Sequence, residues 1–187
     1  MFEELISRWR KLQGEKSKWH SHFDDLARVM LPRRLGFASA TSDGERRNDD
    51  VFDGTPMQAA RSLANAIGGI IRPEGLPKVE MKSDEDALND MDEVKDWLSD
   101  SEEKLKNGFN NPHARFRQAS GEIDQDLVVF GTAVMFVNEA PRQNRLYFQS
   151  LHLKDATPFF SEHGAVEGMF LKRRLTGRQM LARFGSD

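Results

Sequence analysis

The sequence predicts an α+β domain in which a helix-rich N-terminal part packs on a mostly antiparallel sheet of hairpins and the chain closes on a short helix. Three observations carry that expectation. Residues 126–139, DLVVFGTAVMFVNE, form the longest apolar stretch. Upstream, Phe116, Ala119, Ile123, Leu127 and Phe130 recur at steps of three and four, the spacing of one helix face. From Thr132 onward the alternating sets Thr132, Val134, Phe136 and Ala133, Met135, Val137 are both apolar, the pattern of a strand covered on two sides. Gly131 stands between them, where a helix C-terminus commonly needs a left-handed residue that a side chain would disfavour.

Taken in order, Phe2, Leu5, Trp9, Leu12, Trp19, Phe23, Leu26 and Met30 hold helical spacing with Lys16 in the one polar slot. This predicts one amphipathic helix over residues 1–32, stopped by Pro32, whose stripe packs on its own domain or on another subunit. Residues 33–50 are rich in Ser, Gly, Asp, Asn and Arg, with little beyond Leu35 and Phe37 to bury, and are expected to form a loop or linker. The remaining residues, 51–187, are expected to form an α+β domain that continues past Asp187. It opens at Thr55, whose hydroxyl can cap the helix that Pro56 starts. There Met57, Ala60, Leu63, Ala64, Ile67 and Ile71 make the buried stripe, while Ala59, Ala66, Gly68 and Gly69 keep the other faces thin enough for a central position. Residues 76–82 are expected to form a short strand and residues 84–108 an acidic helix.

Asn111 and Pro112 repeat the cap-and-proline start, launching the helix that ends at Gly131. Residues 140–144 supply a turn and residues 145–151 a strand. Residues 157–161 and 166–174 form a second pair turning at His163 and Gly164. Thr176 and Gln179 have capping-box spacing, which predicts a last helix from about Gly177 through Phe184.

Composition narrows the function. The 187 residues carry a net charge of -3, which excludes a uniformly basic nucleic-acid binder. The average hides a polarity: residues 80–106 hold eleven Asp or Glu against four Lys or Arg, and residues 141–187 hold eight basic against four acidic. Such faces are either simply solvated or recruit partners of opposite sign. With no cysteine there is no disulfide or thiolate metal site. No run approaches the roughly 20 apolar residues that span a bilayer, so a soluble protein made in a cytoplasm is expected.

Residues that could carry chemistry are not grouped. In DDVFDGT the aspartates Asp50 and Asp53 are three apart, and ERRND before them cannot form the buried strand a phosphatase site needs. His20 and His22 face different ways on a helix, and all five histidines are expected at the surface or in turns. There is no phosphate-binding glycine loop and no G-x-S-x-G. No catalytic, cofactor-binding or metal-binding residue is therefore expected, and no enzymatic activity. Basic residues cluster at Arg33 and Arg34, at Arg46 and Arg47, and at Lys172, Arg173 and Arg174, with Arg178 and Arg183 beyond. On a strand Lys172 and Arg174 share a face that could meet phosphate, a neighbouring subunit's acidic surface, or only solvent.

Four blocks occur in a particular order: VFDGTPMQAARSLANAIGGIIRP, the acidic helix with DWL at residues 96–98, DLVVFGTAVMFVNE, and EHGAVEGMFLKRRLTGRQMLARFG. Preceded by a tryptophan-bearing helix ending at Leu31-Pro32, that order resembles the portal proteins, the head-to-tail connectors of T7-like short-tailed bacteriophages. The resemblance implies a structural subunit of a dodecameric ring at one capsid vertex of the virion, through which double-stranded DNA is packaged and ejected. It implies terminase, capsid or scaffolding and tail adaptor proteins as partners, no cofactor and no membrane. The matched part would be the N-terminal portion of the wing. The alternative is a nucleic-acid-binding module using the basic segment 172–183.

Overall fold

The computed structural model describes residues 2–38, 51–73, 76–139 and 145–185. Among the described residues, six α-helices and two hairpins accompany one central helix, which runs Phe116–Phe130 (α6). Before it come α1 (Phe2–Ser17), α2 (His20–Met30), α3 (Thr55–Ile71), the single turn α4 (Asp86–Asn89) and α5 (Asp92–Asn110). After it, β1 (Val134–Glu139) pairs antiparallel with β2 (Leu146–Leu151), β3 (Ala156–Phe160) pairs antiparallel with β4 (Val166–Leu171), and α7 (Gly177–Phe184) follows. The α+β expectation holds, and the sheet content divides into two separate two-stranded units. Among the described residues no helix is long and apolar enough to cross a membrane.

Two apolar cores flank α6. Near its C-terminal end Phe130 and Val129 meet Ala27, Leu31, Phe37, Ala60 and Leu153, and the rings of Phe23, Phe37 and Phe130 lie 5.3–5.4 Å apart, centroid to centroid. At its N-terminal end Phe116 and Ala119 meet Ala114 and Phe148, with Phe109, Phe116 and Phe148 at 5.0–5.4 Å. These spacings and the edge-on arrangement of most pairs suit the aromatic quadrupole.

Gly131 ends α6 as expected: its φ is +71°, and its N–H donates to the Leu127 carbonyl. A Cβ there would touch nothing within 4 Å, so the cost of a side chain is purely conformational. Gly131→Val is expected to lower stability by about 1–2 kcal/mol through left-handed strain alone, read as a reduced urea midpoint with an unchanged slope. The Thr176–Gln179 capping box also forms, in both directions.

Elsewhere the local patterns give way to tertiary contacts. The single N-terminal helix is in fact two, broken at residues 18 and 19. Lys16, next to the break, is an anchor rather than a flaw in the stripe. Its ammonium donates to the carbonyls of Leu153, Lys154 (3.1 Å) and Ala156 (2.6 Å), and burial, opposed by Asp155, brings its pKa down to about 8. Residues 76–82 form no strand. They are held on α5 by the Met81 N–H donating to Glu102, 2.8 Å away. The acidic helix breaks at Asp90 and Met91 into α4 and α5. Asn111 and Pro112 launch only a 3-10 turn, Pro112–Ala114, and α6 begins after Arg115, which has φ of 60° and is tied to Gln118.

At the start of α3 the acceptor is Asp53, which takes both the N–H and the hydroxyl of Thr55 (2.9 and 2.7 Å), so Thr55 does not cap. In the α3 stripe Ala60 and Ala64 are buried, but Leu63 and Ile71 are 53% and 59% exposed. Leu127 in α6 is likewise 42% exposed. Strand β1 is not covered on both sides either: residues 134–136 are half-buried and Val137, Asn138 and Glu139 are exposed. The turn expected at residues 140–144 lies outside the described residues.

Candidate functional site

The polar residues fall into a buried set and an exposed set. The buried set centres on the carboxylates of α6. Asp126, 1% exposed, accepts from Arg34 through Nε (2.8 Å) and Nη2 (2.5 Å). Arg34 also reaches Ser150 of β2 and lies 3.7 Å from Glu122. Burial pushes the Asp126 carboxyl above its ordinary range, opposed by the Arg34 hydrogen bonds. Two residues earlier on α6, Asp124 pairs with Arg72 at the end of α3. Both pairs tie neighbouring elements to α6, since a charge in the interior is tolerated when it is paired and hydrogen-bonded.

A third buried carboxylate, Asp24 of α2, accepts from the backbone N–H groups of Gly36, Phe37 and Ala38 at 2.8–2.9 Å. Burial raises its pKa, but these three bonds and nearby Arg28 outweigh it and hold the carboxyl below its ordinary value. A carboxylate with a lowered folded-state pKa stabilises the fold above its unfolded value of about 4 and loses that contribution as pH falls through the folded value. Asp24→Ala is therefore expected to cost about 1–3 kcal/mol at pH 7 and to flatten the acid limb of the stability profile, measured by urea melts from pH 3 to 7.

Two expectations about basic and imidazole groups change here. Arg34, one of the basic residues clustered in the sequence, is an interior ion-pair partner. His152 is half-buried, accepting from the Lys154 N–H at Nδ1 (3.1 Å) while Nε2 sits 2.8 Å from the Arg34 carbonyl. That pattern places the proton on Nε2. His20 is half-buried as well.

The exposed set contains the remaining sequence candidates. Arg46 and Arg47 lie outside the described residues. Lys172, Arg173 and Arg174 follow the end of β4 at Leu171, so the strand alternation that would place Lys172 and Arg174 on one face does not extend to them. Instead the Arg173 guanidinium lies over the Phe136 ring, 4.2 Å from its centroid, and Lys172 donates its backbone N–H to the Asp155 carbonyl. Arg178 is exposed on α7. Among the described residues, none of Lys172, Arg173, Arg174 and Arg178 pairs with the buried carboxylates.

The sequence matches the family model for the bacteriophage head to tail connecting protein over residues 3–187. The chain belongs to this family. It is 26% identical over 185 residues to a probable portal protein of Bordetella phage BPP-1, covering 98% of this chain and 33% of the relative. It is also 26% identical over 186 residues to a portal protein of Salmonella phage epsilon15, covering 99% and 33%. The chain thus spans about a third of the length of these curated relatives.

In this member of the connecting family Gly68 of α3 leaves the room that the Asp124–Arg72 pair occupies. A Cβ on Gly68 would come 2.7 Å from Asp124 Oδ2 and 3.2 Å from Arg72 Nη2. Alanine is the better helix former by about 1 kcal/mol, yet Gly68→Ala is expected to destabilise by about 1–3 kcal/mol because it prises apart a buried ion pair. Thermal melts of the two variants Gly68→Ala and Gly69→Ala check this, since a Cβ on Gly69 meets nothing within 4 Å.

Proposed function

We propose that the chain is part of the wing of a phage portal subunit, a structural component of the head-to-tail connector through which the genome is packaged and ejected. The observation that carries this is the family match from residue 3 to residue 187. In this proposal the full-length subunit assembles into a ring, a dodecamer as the family resemblance implies, at one vertex of the virion. It is made in the host cytoplasm and meets terminase, capsid or scaffolding and tail adaptor proteins.

Two physical points support a scaffolding role. The buried carboxylates Asp24, Asp124 and Asp126 are each engaged by arginine or backbone groups that fasten one element to another. A translocation channel should also avoid gripping DNA, because each neutralised phosphate adds affinity and acts as a brake. A chain with net charge -3 meets that need, and the motor chemistry would reside in a partner. Negative-stain imaging with light scattering on the full-length gene product tests the proposal. A ring with a central hole is expected, and a monomer at micromolar concentration overturns it.

A further inference from the structure

Two exposed segments carry opposite charge, most of it unpaired among the described residues. Residues 84–103 hold ten Asp or Glu and a single Lys. On α5, Glu93 and Asp100 lie four positions before and three after Trp97, which puts all three on one face. Trp97 is 64% exposed and Met91, just before α5, is 51% exposed. At the other end, residues 172–185 hold five Lys or Arg and no acid. All five are exposed, and none takes part in an ion pair among the described residues. Helix α7 buries none of its residues, and Met180, Leu181 and Phe184 are 53%, 73% and 67% exposed. A helix this short does not persist alone in water, so its completed capping box and uncovered apolar stripe belong to a surface that something else finishes.

We infer that a second copy of this chain finishes it: the basic segment 172–183 and the α7 stripe of one subunit dock on the acidic α4–α5 face around Trp97 of the next. This rests on the ring assembly proposed above. The two surfaces differ, so the contact is head-to-tail, the type that closes into a ring. Opposite charge steers the encounter and fixes which faces meet, while the apolar residues on both sides exclude water at the centre.

The test uses the full-length gene product. Arg178→Glu with Arg183→Glu, and separately Asp96→Lys with Asp100→Lys, are each expected to lower the ring fraction at fixed concentration at least about tenfold. Combining all four substitutions in one chain is expected to restore rings to within about twofold of the unmodified protein. A one-to-one mixture of the two single-face variants is expected to form rings as well, with the variants alternating around an even-numbered ring. All four positions are exposed, so unchanged circular-dichroism melting separates lost docking from lost folding. Rings indifferent to the single-face substitutions, or variants that the combination does not rescue, overturn this contact alone. Loss of DNA retention by the arginine variant with assembly intact assigns the basic segment to nucleic acid and also overturns it. An unmodified product that stays monomeric removes the ring assembly itself.

Discussion

Arg34→Ala is expected to destabilise the chain by about 3–5 kcal/mol, the cost of leaving a buried charge without its partner. Asp126 would keep the Ser150 hydroxyl, 3.4 Å away, and the favourable charge of Arg33, and would still face Glu122, whose charge already raises its pKa. The sign of the pH dependence follows. A carboxyl whose folded pKa lies above its unfolded value favours the fold while protonated, and that contribution is lost as pH rises through the folded value. Removing Arg34 raises the folded pKa further, so the variant should regain stability between pH 7 and pH 5 relative to the parent chain. Urea denaturation at both pH values decides the matter, and a loss under about 1 kcal/mol at pH 7 would show the pair to be solvated. Replacing both partners, Arg34→Met with Asp126→Leu, should cost far less than either single change.

Phe130→Ala is the second large effect, expected at about 3–5 kcal/mol because the ring is buried against Phe23 and Phe37 and its removal leaves a cavity. Phe148→Ala should cost a similar amount in the other core, where it touches Phe109 and Phe116. Phe116 and Phe130 sit fourteen residues apart on α6, about 21 Å at 1.5 Å per residue. With no shared aromatic partner, the two losses should add to within about 0.5 kcal/mol in chemical denaturation of the double variant. A larger departure would mean that α6 couples the cores.

The features legible in the sequence are those whose chemistry is local. Gly131 and the Thr176–Gln179 box each need only a few neighbouring residues to specify a backbone conformation, and both form as expected. The hairpins are legible for the same reason, with Gly164 at φ +78° in the expected turn. What escaped notice depends on partners far along the chain. Arg34 and Asp126 are separated by 92 residues, and Lys16 meets carbonyls 137 to 140 residues away. No periodicity announces such pairs, although Asp124 and Asp126 stand conspicuously between the apolar residues of α6. Residues 76–82 alternate like a strand but find a helix side chain instead of a neighbouring strand, which composition cannot foretell.

The first helix is fastened by polar contacts along its length. None of its residues is buried; Arg8 lies over Phe159, Gln13 donates to Thr157, and Lys16 grips three carbonyls. Detaching α1 therefore exposes little hydrocarbon, and the heat capacity and denaturant sensitivity of an opening scale with the surface it uncovers. Its release should be a shallow, nearly athermal step that precedes cooperative unfolding, leaving the first seventeen residues open to proteases while both aromatic cores remain shut.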